Sequence, residues 1–367
     1  MRTIYTCLLL FGSLTMSHGQ SGSSNWIFGD SLGISFSGGS PLILSQPVLS
    51  SSESSASISD TNGTLLFYAG SSSYLPSPGW SSFRIWDRDH NMMVNGDSIN
   101  GWSTITQGCV ILPDPGNMDQ YYVFTLGSGG FGITSELYYS IVDMTLNNGY
   151  GDVVSKNNIA DPSITDYCEK MIAIRHGNGR DWWIILHGFA NNNFIFYLLS
   201  PTGVSGPYVQ SAGPIYPSYS SAGQMAASMN GDRIAIAGRP ALLDVFDFDR
   251  CSGTFSNHIS LGDTTNNTNN GIGFYGCSFS PSGQYLYASN ADSLFQYDVT
   301  ASAVPWGKTL IFSSDQACRD SCVIGQHALA SDGRIYIANT SLYKTGNTTI
   351  DNYNSSISFI TDPDAQG

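Results

Sequence analysis

The sequence predicts an all-β chain, a β-propeller of about six four-stranded blades. Three observations carry this. No stretch keeps an apolar i, i+3, i+4, i+7 pattern for three turns, so helices leave no signal. A polar turn containing glycine, followed by an alternating apolar strand, recurs along the chain. A second apolar or aromatic strand, mostly ending in aspartate, follows each turn.

The turn signature stands in "SDTNGTLLFYAG", "SMNGDRIAIAG", "SPSGQYLYAS" and "SDGRIYIAN", at Gly63, Gly231, Gly283 and Gly333. Looser copies lie at Gly116 and Gly179, and the successive spacings are 53, 63, 52, 52 and 50. A tight hairpin needs positive φ, which Asn-Gly or Asp-Gly supplies at little steric cost. A period of ~50 residues suits propeller blades, whereas an array of β-sandwiches, the competing architecture, repeats at ~100. The second strands are "FRIWD" (Asp87), "YYSIVD" (Asp143), "LLDVFDFD" (Asp247, Asp249), "LFQYD" (Asp298) and "SISFITD" (Asp362); "FIFYLLS" ends on Ser200 instead. Aspartate there can accept from the backbone two residues on and start the next turn.

Ahead of the first unit lie "NWIFGDSLGISF" and "PLILS". They are expected to supply the outer strand of the last blade and so close the ring. Seven blades follow instead if these strands build more of a blade of their own.

Residues 1–19 have the layout of a secretory signal peptide: Arg2, an apolar run around Cys7–Phe11, then Ser17 and Gly19 before Gln20. Residues 20–367 are read as a single propeller domain in a secreted, extracellular or cell-surface protein. Removing Arg2 from 14 basic and 28 acidic residues gives 13 − 28 = −15. That charge excludes nucleic acid and disfavours anionic membranes. No later run reaches the ~20 apolar residues of a spanning helix, so no membrane insertion is expected. Only 11% of residues are charged, which leaves Ser, Asn, Thr, Gly and Tyr to make the surface, and a monomer is expected.

Cys109, Cys168, Cys251, Cys277, Cys318 and Cys322 survive processing. In an oxidising compartment an even count suggests disulfides, with fifteen full pairings open. Cys318 with Cys322 could close a small loop, and Cys251 with Cys277 could staple neighbouring elements. A zinc site lacks its CxxC pair and its histidines.

Signals of chemistry are thin. "FGDSL" with Asp87-x-x-His90 has the letters of a GDSL-type esterase. Strand continues after Ser31, no α/β alternation exists, and Asp87 has its own place as a turn residue. "SDTNGTLLF" misses a sialidase-type Asp box, with Thr61 where aspartate belongs. No cofactor is indicated; "GDTTNNTNNG" (262–271) is the one stretch with a calcium-like composition, without EF-hand spacing. Asn62, Asn266, Asn339, Asn347 and Asn354 head glycosylation sequons, as chance allows in an Asn-rich chain.

Seven ordered blocks resemble one family: "NWIFGDSLGISFSGGSP", "ISDTNGTLLFYAG", "DMTLNNGYGDVVSKN", "IAIRHGNGRDWWIILHG", "VFDFDRCSG", "CSFSPSGQYLYAS" and "SISFITDPDAQG". Together, over residues 25–367, they look like the N-terminal propeller-like region of gliding-motility-associated surface proteins of Bacteroidetes-type bacteria. The resemblance implies export by type IX secretion, an extracellular or cell-surface place and no established activity.

Propeller ligands meet the starts of the innermost strands. Counting back seven to ten residues from each turn glycine finds Gln107, Glu169, Lys170, Gln224, Tyr275 and Gln326, with His327 beside the last. These residues form the predicted polar mouth. Trp80, Tyr216 and Tyr219, in loops rich in Pro, Ser and Gly, are the candidates to stack on sugars. The expected role is a non-catalytic binding or adhesion module for a glycan or a surface protein. The alternative is a glycan hydrolase or lyase using Glu169 with Lys170 or His327.

Overall fold

The computed structural model describes residues 2–5, 24–44, 47–51, 53–71, 83–130, 133–239, 242–262, 273–301, 307–313, 322–341 and 356–367. After β1 (Arg2–Tyr5), blade 1 holds β2 (Asn25–Phe28), β3 (Leu32–Ser35) and β4 (Leu42–Leu44). Blade 2 holds β5 (Ser55–Ser59), β6 (Leu65–Ser71) and β7 (Phe83–Asp87). Blade 3 holds β8 (Cys109–Asp114), β9 (Asn117–Gly130), β10 (Ile133–Asp143) and β11 (Asp152–Ile159). Blade 4 holds β12 (Tyr167–Arg175), β13 (Trp182–Gly188), β14 (Asn193–Ser200) and β15 (Gly203–Ser211). Blade 5 holds β16 (Met225–Ala227), β17 (Arg233–Gly238), β18 (Leu242–Asp249) and β19 (Thr254–Ser260). Blade 6 holds β20 (Gly276–Phe279), β21 (Tyr285–Ser289), β22 (Ser293–Asp298) and β23 (Lys308–Ser313). Blade 7 holds β24 (Cys322–Leu329), β25 (Ile335–Ser341) and β26 (Ser356–Ile360), with β1 as its outer strand.

The chain is therefore a seven-bladed β-propeller, the second of the two counts that the sequence left open. The added blade is the segment expected to complete the last one. Gly29 and Ser31 take left-handed φ of 63° and 62°, which turns residues 25–35 back on themselves, pairing Trp26 with Ile34 and Phe28 with Leu32. One face of that hairpin, with Trp26, Phe28, Leu32, Ile34 and Phe36, packs on Ala328, Ala330, Tyr336, Ile357 and Phe359 of blade 7. The other presents Ile27 to Leu49, Tyr68 and Trp86 beside blade 2. Each fully buried large apolar side chain stabilises by about 1.5–3 kcal/mol, so blade 1 closes the ring as an apolar wedge. Arg2–Tyr5, inside the stretch read as a leader, lies along Ser356–Phe359.

The repeat itself is as read. Gly63, Gly179, Gly231, Gly283 and Gly333 have φ between 69° and 83°. Each donates its N–H to the carbonyl three residues back, as Gly63 does to Asp60, so only the glycine is left-handed and a three-residue-type loop results. Gly116 differs: its N–H meets Asp114 Oδ1 at 2.7 Å, and its φ is not positive. The aspartates act as turn starters. Asp87 Oδ1 accepts from Asp89 and Asn91, Asp143 Oδ1 from Thr145, and Asp298 Oδ1 from Thr300.

Disulfide candidates fare differently. Cys251 is exposed in a turn of blade 5, while Cys277 is buried on the inner strand of blade 6, and both are free thiols, as are Cys109 and Cys168. The proposed Cys251–Cys277 staple is thus corrected: the two elements are not neighbours in the way the sequence suggested. Cys318 and the side chain of Cys322 lie outside the described residues, as do Trp80 and most of 262–271.

Candidate functional site at the channel mouth

The inner strands β5, β8, β12, β16, β20 and β24 lie side by side around the ring. Their starts meet at one end of the channel. The backbone aligns them there: Gln107 N–H donates to Glu169 O at 3.0 Å, and Gln224 N–H to Tyr275 O at 2.7 Å. Blades 6 and 7 approach so closely that a Cβ on Gly276 would sit 2.2 Å from Gly325 O. Only glycine fits at that position.

Three buried glutamines cross this narrow channel. Gln107 of blade 3 pairs its amide with Met225 of blade 5, Nε2 to Met225 O at 2.9 Å and Met225 N–H to Oε1 at 2.7 Å. Gln224 of blade 5 donates to His327 O of blade 7 at 2.7 Å, and its Oε1 accepts from His327 N–H (3.0 Å) and Cys277 N–H (3.1 Å). Gln326 of blade 7 donates to Thr106 O of blade 3. The links run from blade 3 to 5, 5 to 7 and 7 to 3, a closed triangle. It floors the mouth. Every amide atom in it is engaged except Gln326 Oε1, which is buried without a partner among the described residues.

Above that floor two carboxyls converge. Thr106 holds Glu169 Oε2 through its N–H (3.2 Å) and its hydroxyl (3.0 Å). Tyr275 Oη lies 3.3 Å from Glu53 Oε1 and 3.4 Å from Thr106 Oγ1. Glu53, Glu169 and Tyr275 are half-buried, and Thr106 is buried. Burial first, and then the charge of Glu169, push the Glu53 carboxyl up to about 8, against Tyr275 and Arg239. Burial also raises Glu169, and raises the Tyr275 phenol well above its usual range with help from Glu53. The arrangement is a pair of acids that cannot both ionise freely at neutral pH.

The site residues read from sequence divide into two groups. Glu169 and Tyr275 line the mouth, and Gln107, Gln224 and Gln326 form the floor beneath it. Lys170 and His327 face into blade interfaces. Lys170, 1% exposed, gives all three protons to the carbonyls of Ser220, Ser221 and Ala222, at 2.6–3.0 Å; burial lowers its pKa. His327 alternates with Gln326 along β24, so its ring turns away from the channel to Ser289 Oγ at 2.9 Å, and burial pushes it down to about 3. Tyr216 is not an exposed aromatic: it is 3% exposed and its hydroxyl meets Asp244 Oδ2 at 2.7 Å. Tyr219 is 60% exposed. Ser31 is a hairpin turn residue and His90 pairs with Tyr68, so the esterase letters belong to separate structural roles. Glu53 was missed, although the same count applies: it lies ten residues before Gly63.

No protein-family model matches the chain, and no curated protein matches it. Solved structures do. The chain is similar to the β-propeller domain of Myceliophthora thermophila Cps50 (Swd1), at 12% identity and TM-score 0.51, over 98% of each chain. It is also similar to a candidate 6-phosphogluconolactonase from Bacteroides fragilis, at 13% identity and TM-score 0.51, covering 89% of this chain and 87% of that one. A second such protein, from Bacteroides uniformis, gives 16% identity and TM-score 0.51 over 88% and 87%. At these identities the likeness establishes the propeller fold. Among the described residues no group of three or more His, Cys, Asp or Glu gathers as metal ligands, and no helix is long and apolar enough to cross a membrane.

Proposed function

We propose that this propeller is a secreted or cell-surface binding module that takes a glycan or protein partner at its channel mouth. One observation carries the reading: Glu53, Glu169 and Tyr275, from three different blades, converge half-buried over a floor of amides. Convergent polar groups with unsatisfied capacity are what a binding site needs. The hydrolase or lyase reading gives Glu169 the help of Lys170 or His327, and both already serve the blade interfaces. That favours binding over turnover. The leader-like N-terminus and the likeness to gliding-motility-associated surface proteins support an extracellular place.

Thermal unfolding of the purified chain against a panel of polysaccharides tests the reading. A ligand at about 100 times its Kd adds about 2.7 kcal/mol. Glu169→Gln and Tyr275→Phe are expected to abolish that shift. Product formation that falls by ~10² or more in Glu169→Gln would instead mark an enzyme.

A further inference from the structure

Two carboxyls at the mouth and a buried amide oxygen of its floor keep acceptor capacity that nothing among the described residues uses. Glu53 and Glu169 each spend one oxygen on Tyr275 and Thr106 respectively. Glu53 Oε2 and Glu169 Oε1 are left over among the described residues. The head of Gln326, fully buried, lies against Thr106 O, and its Oε1 has no donor among the described residues. A buried acceptor without a donor is costly. The three side chains come from blades 2, 4 and 7, and the other polar atom of each is tied to one residue, Thr106, directly or through Tyr275.

We propose that the mouth binds the primary ammonium group of a ligand between Glu53 and Glu169. This rests on the mouth being the binding site. An ammonium has three N–H donors and no acceptor, which suits acceptors that are open among the described residues. Its single charge also fits. Tyr275 and Thr106 are neutral donors, Arg239 adds positive charge beside Glu53, and Lys170 adds it behind Glu169. A dication would meet that repulsion twice over, whereas one ammonium replaces the one proton the acid pair retains. Burial holds that proton on Glu53 to about pH 8, so binding releases it.

The test is calorimetric titration of the full chain with two sources of the group, the peptide Gly-Lys-Gly and a glucosamine oligosaccharide. Each is run against its N-acetylated counterpart. At least one amine is expected to bind, with its N-acetylated form weaker by about tenfold or more. For the peptide, affinity should rise by up to about tenfold from about pH 6 to about pH 7, because one proton leaves Glu53. Glu53→Gln and Glu169→Gln should each cost about tenfold or more while the melt stays cooperative. Should either variant fail to fold, the pH dependence of the unaltered chain decides. Absence of binding by both amines at ~10 mM overturns the inference, as does equal binding of the acetylated forms. Heat from calcium chloride that both variants abolish, with none from the amines, overturns it in favour of a metal. A polysaccharide that needs Glu169 and Tyr275 but ignores N-acetylation overturns it while the mouth remains the binding site; loss of every ligand effect at the mouth removes both readings.

Discussion

The floor and the mouth of the channel lie within a few bonds of each other, and both are built from polar residues at inner-strand starts. They differ in what is left unused. In the floor, Gln107 and Gln224 commit both amide atoms to backbone groups of other blades. In the mouth, Glu53 and Glu169 commit one oxygen each and are only half-buried. A buried amide with every atom paired rigidifies a core. A carboxyl with spare acceptors and a displaced pKa is a handle for something else. Residue type alone does not separate the two cases; the partner count does.

Substitution at each level can break that contrast. The largest effect is expected for Gln224→Leu, which strips partners from His327 O, His327 N–H and Cys277 N–H. At about 1–3 kcal/mol per orphaned buried group, a loss of about 3 kcal/mol or more should appear in urea unfolding. A loss below ~1 kcal/mol would mean that the floor is not the brace described.

Glu53→Gln comes next and reads the mouth. The Glu53 carboxyl is raised in the folded chain to about 8, from 4.5, so its proton stabilises the fold fully below ~4.5. That contribution is lost as pH climbs through ~8, with a slope of at most about 1.4 kcal/mol per pH unit. Partial exposure makes the real slope shallower. The variant should lack this slope, so melts taken across pH 5 to 8 should favour it increasingly on the alkaline side. Parallel curves would show that folding does not raise the Glu53 carboxyl.

Gln326→Leu sharpens the contrast within the floor. It removes one donor bond, to Thr106 O, and also an oxygen that has no partner among the described residues. The expected loss is about 1 kcal/mol, well short of Gln224→Leu, in the same urea assay. Smallest of all is Ser31→Ala. Among the described residues Ser31 Oγ reaches only Leu49 O, at 3.5 Å, so stability should move by about 0.5 kcal/mol or less. Ester hydrolysis above background that disappears in Ser31→Ala would reverse the reading of that turn.

Much of the architecture was legible because a hairpin leaves a local mark. Glycine in a left-handed turn and aspartate two residues before a backbone N–H are short-range events, and both repeat with the blade. Blade 1 hid because its turn uses Gly29-Asp30-Ser31, with a serine in a conformation usually left to glycine or asparagine. It also stands much nearer to Gly63 than one blade length. The site was half legible. Counting back from the turn glycines located the level of the channel at which Gln107, Glu169, Gln224, Tyr275 and Gln326 gather. It could not show which of them would spend its polar atoms on other blades, because those bonds join residues more than 100 positions apart. Nor could it show that Lys170 would end in a cradle of carbonyls, since that cradle, residues 220–222, belongs to a loop some 50 residues downstream.

Because each glutamine of the triangle skips at least one blade, the ring is trussed rather than merely stacked. Adjacent blades can pack in the order in which they are made, but the cross-ties cannot. Thr106 waits for Gln326, which arrives 220 residues later. A chain growing from its N-terminus can tie blade 3 to blade 5 through Gln107, but Thr106 and the Gln224 amide lack their blade 7 partners until that blade exists. Closure of such distant contacts is slow. Shortening the chain ahead of β24 would then loosen blade 3, on the far side of the ring, and not only the blade that was cut.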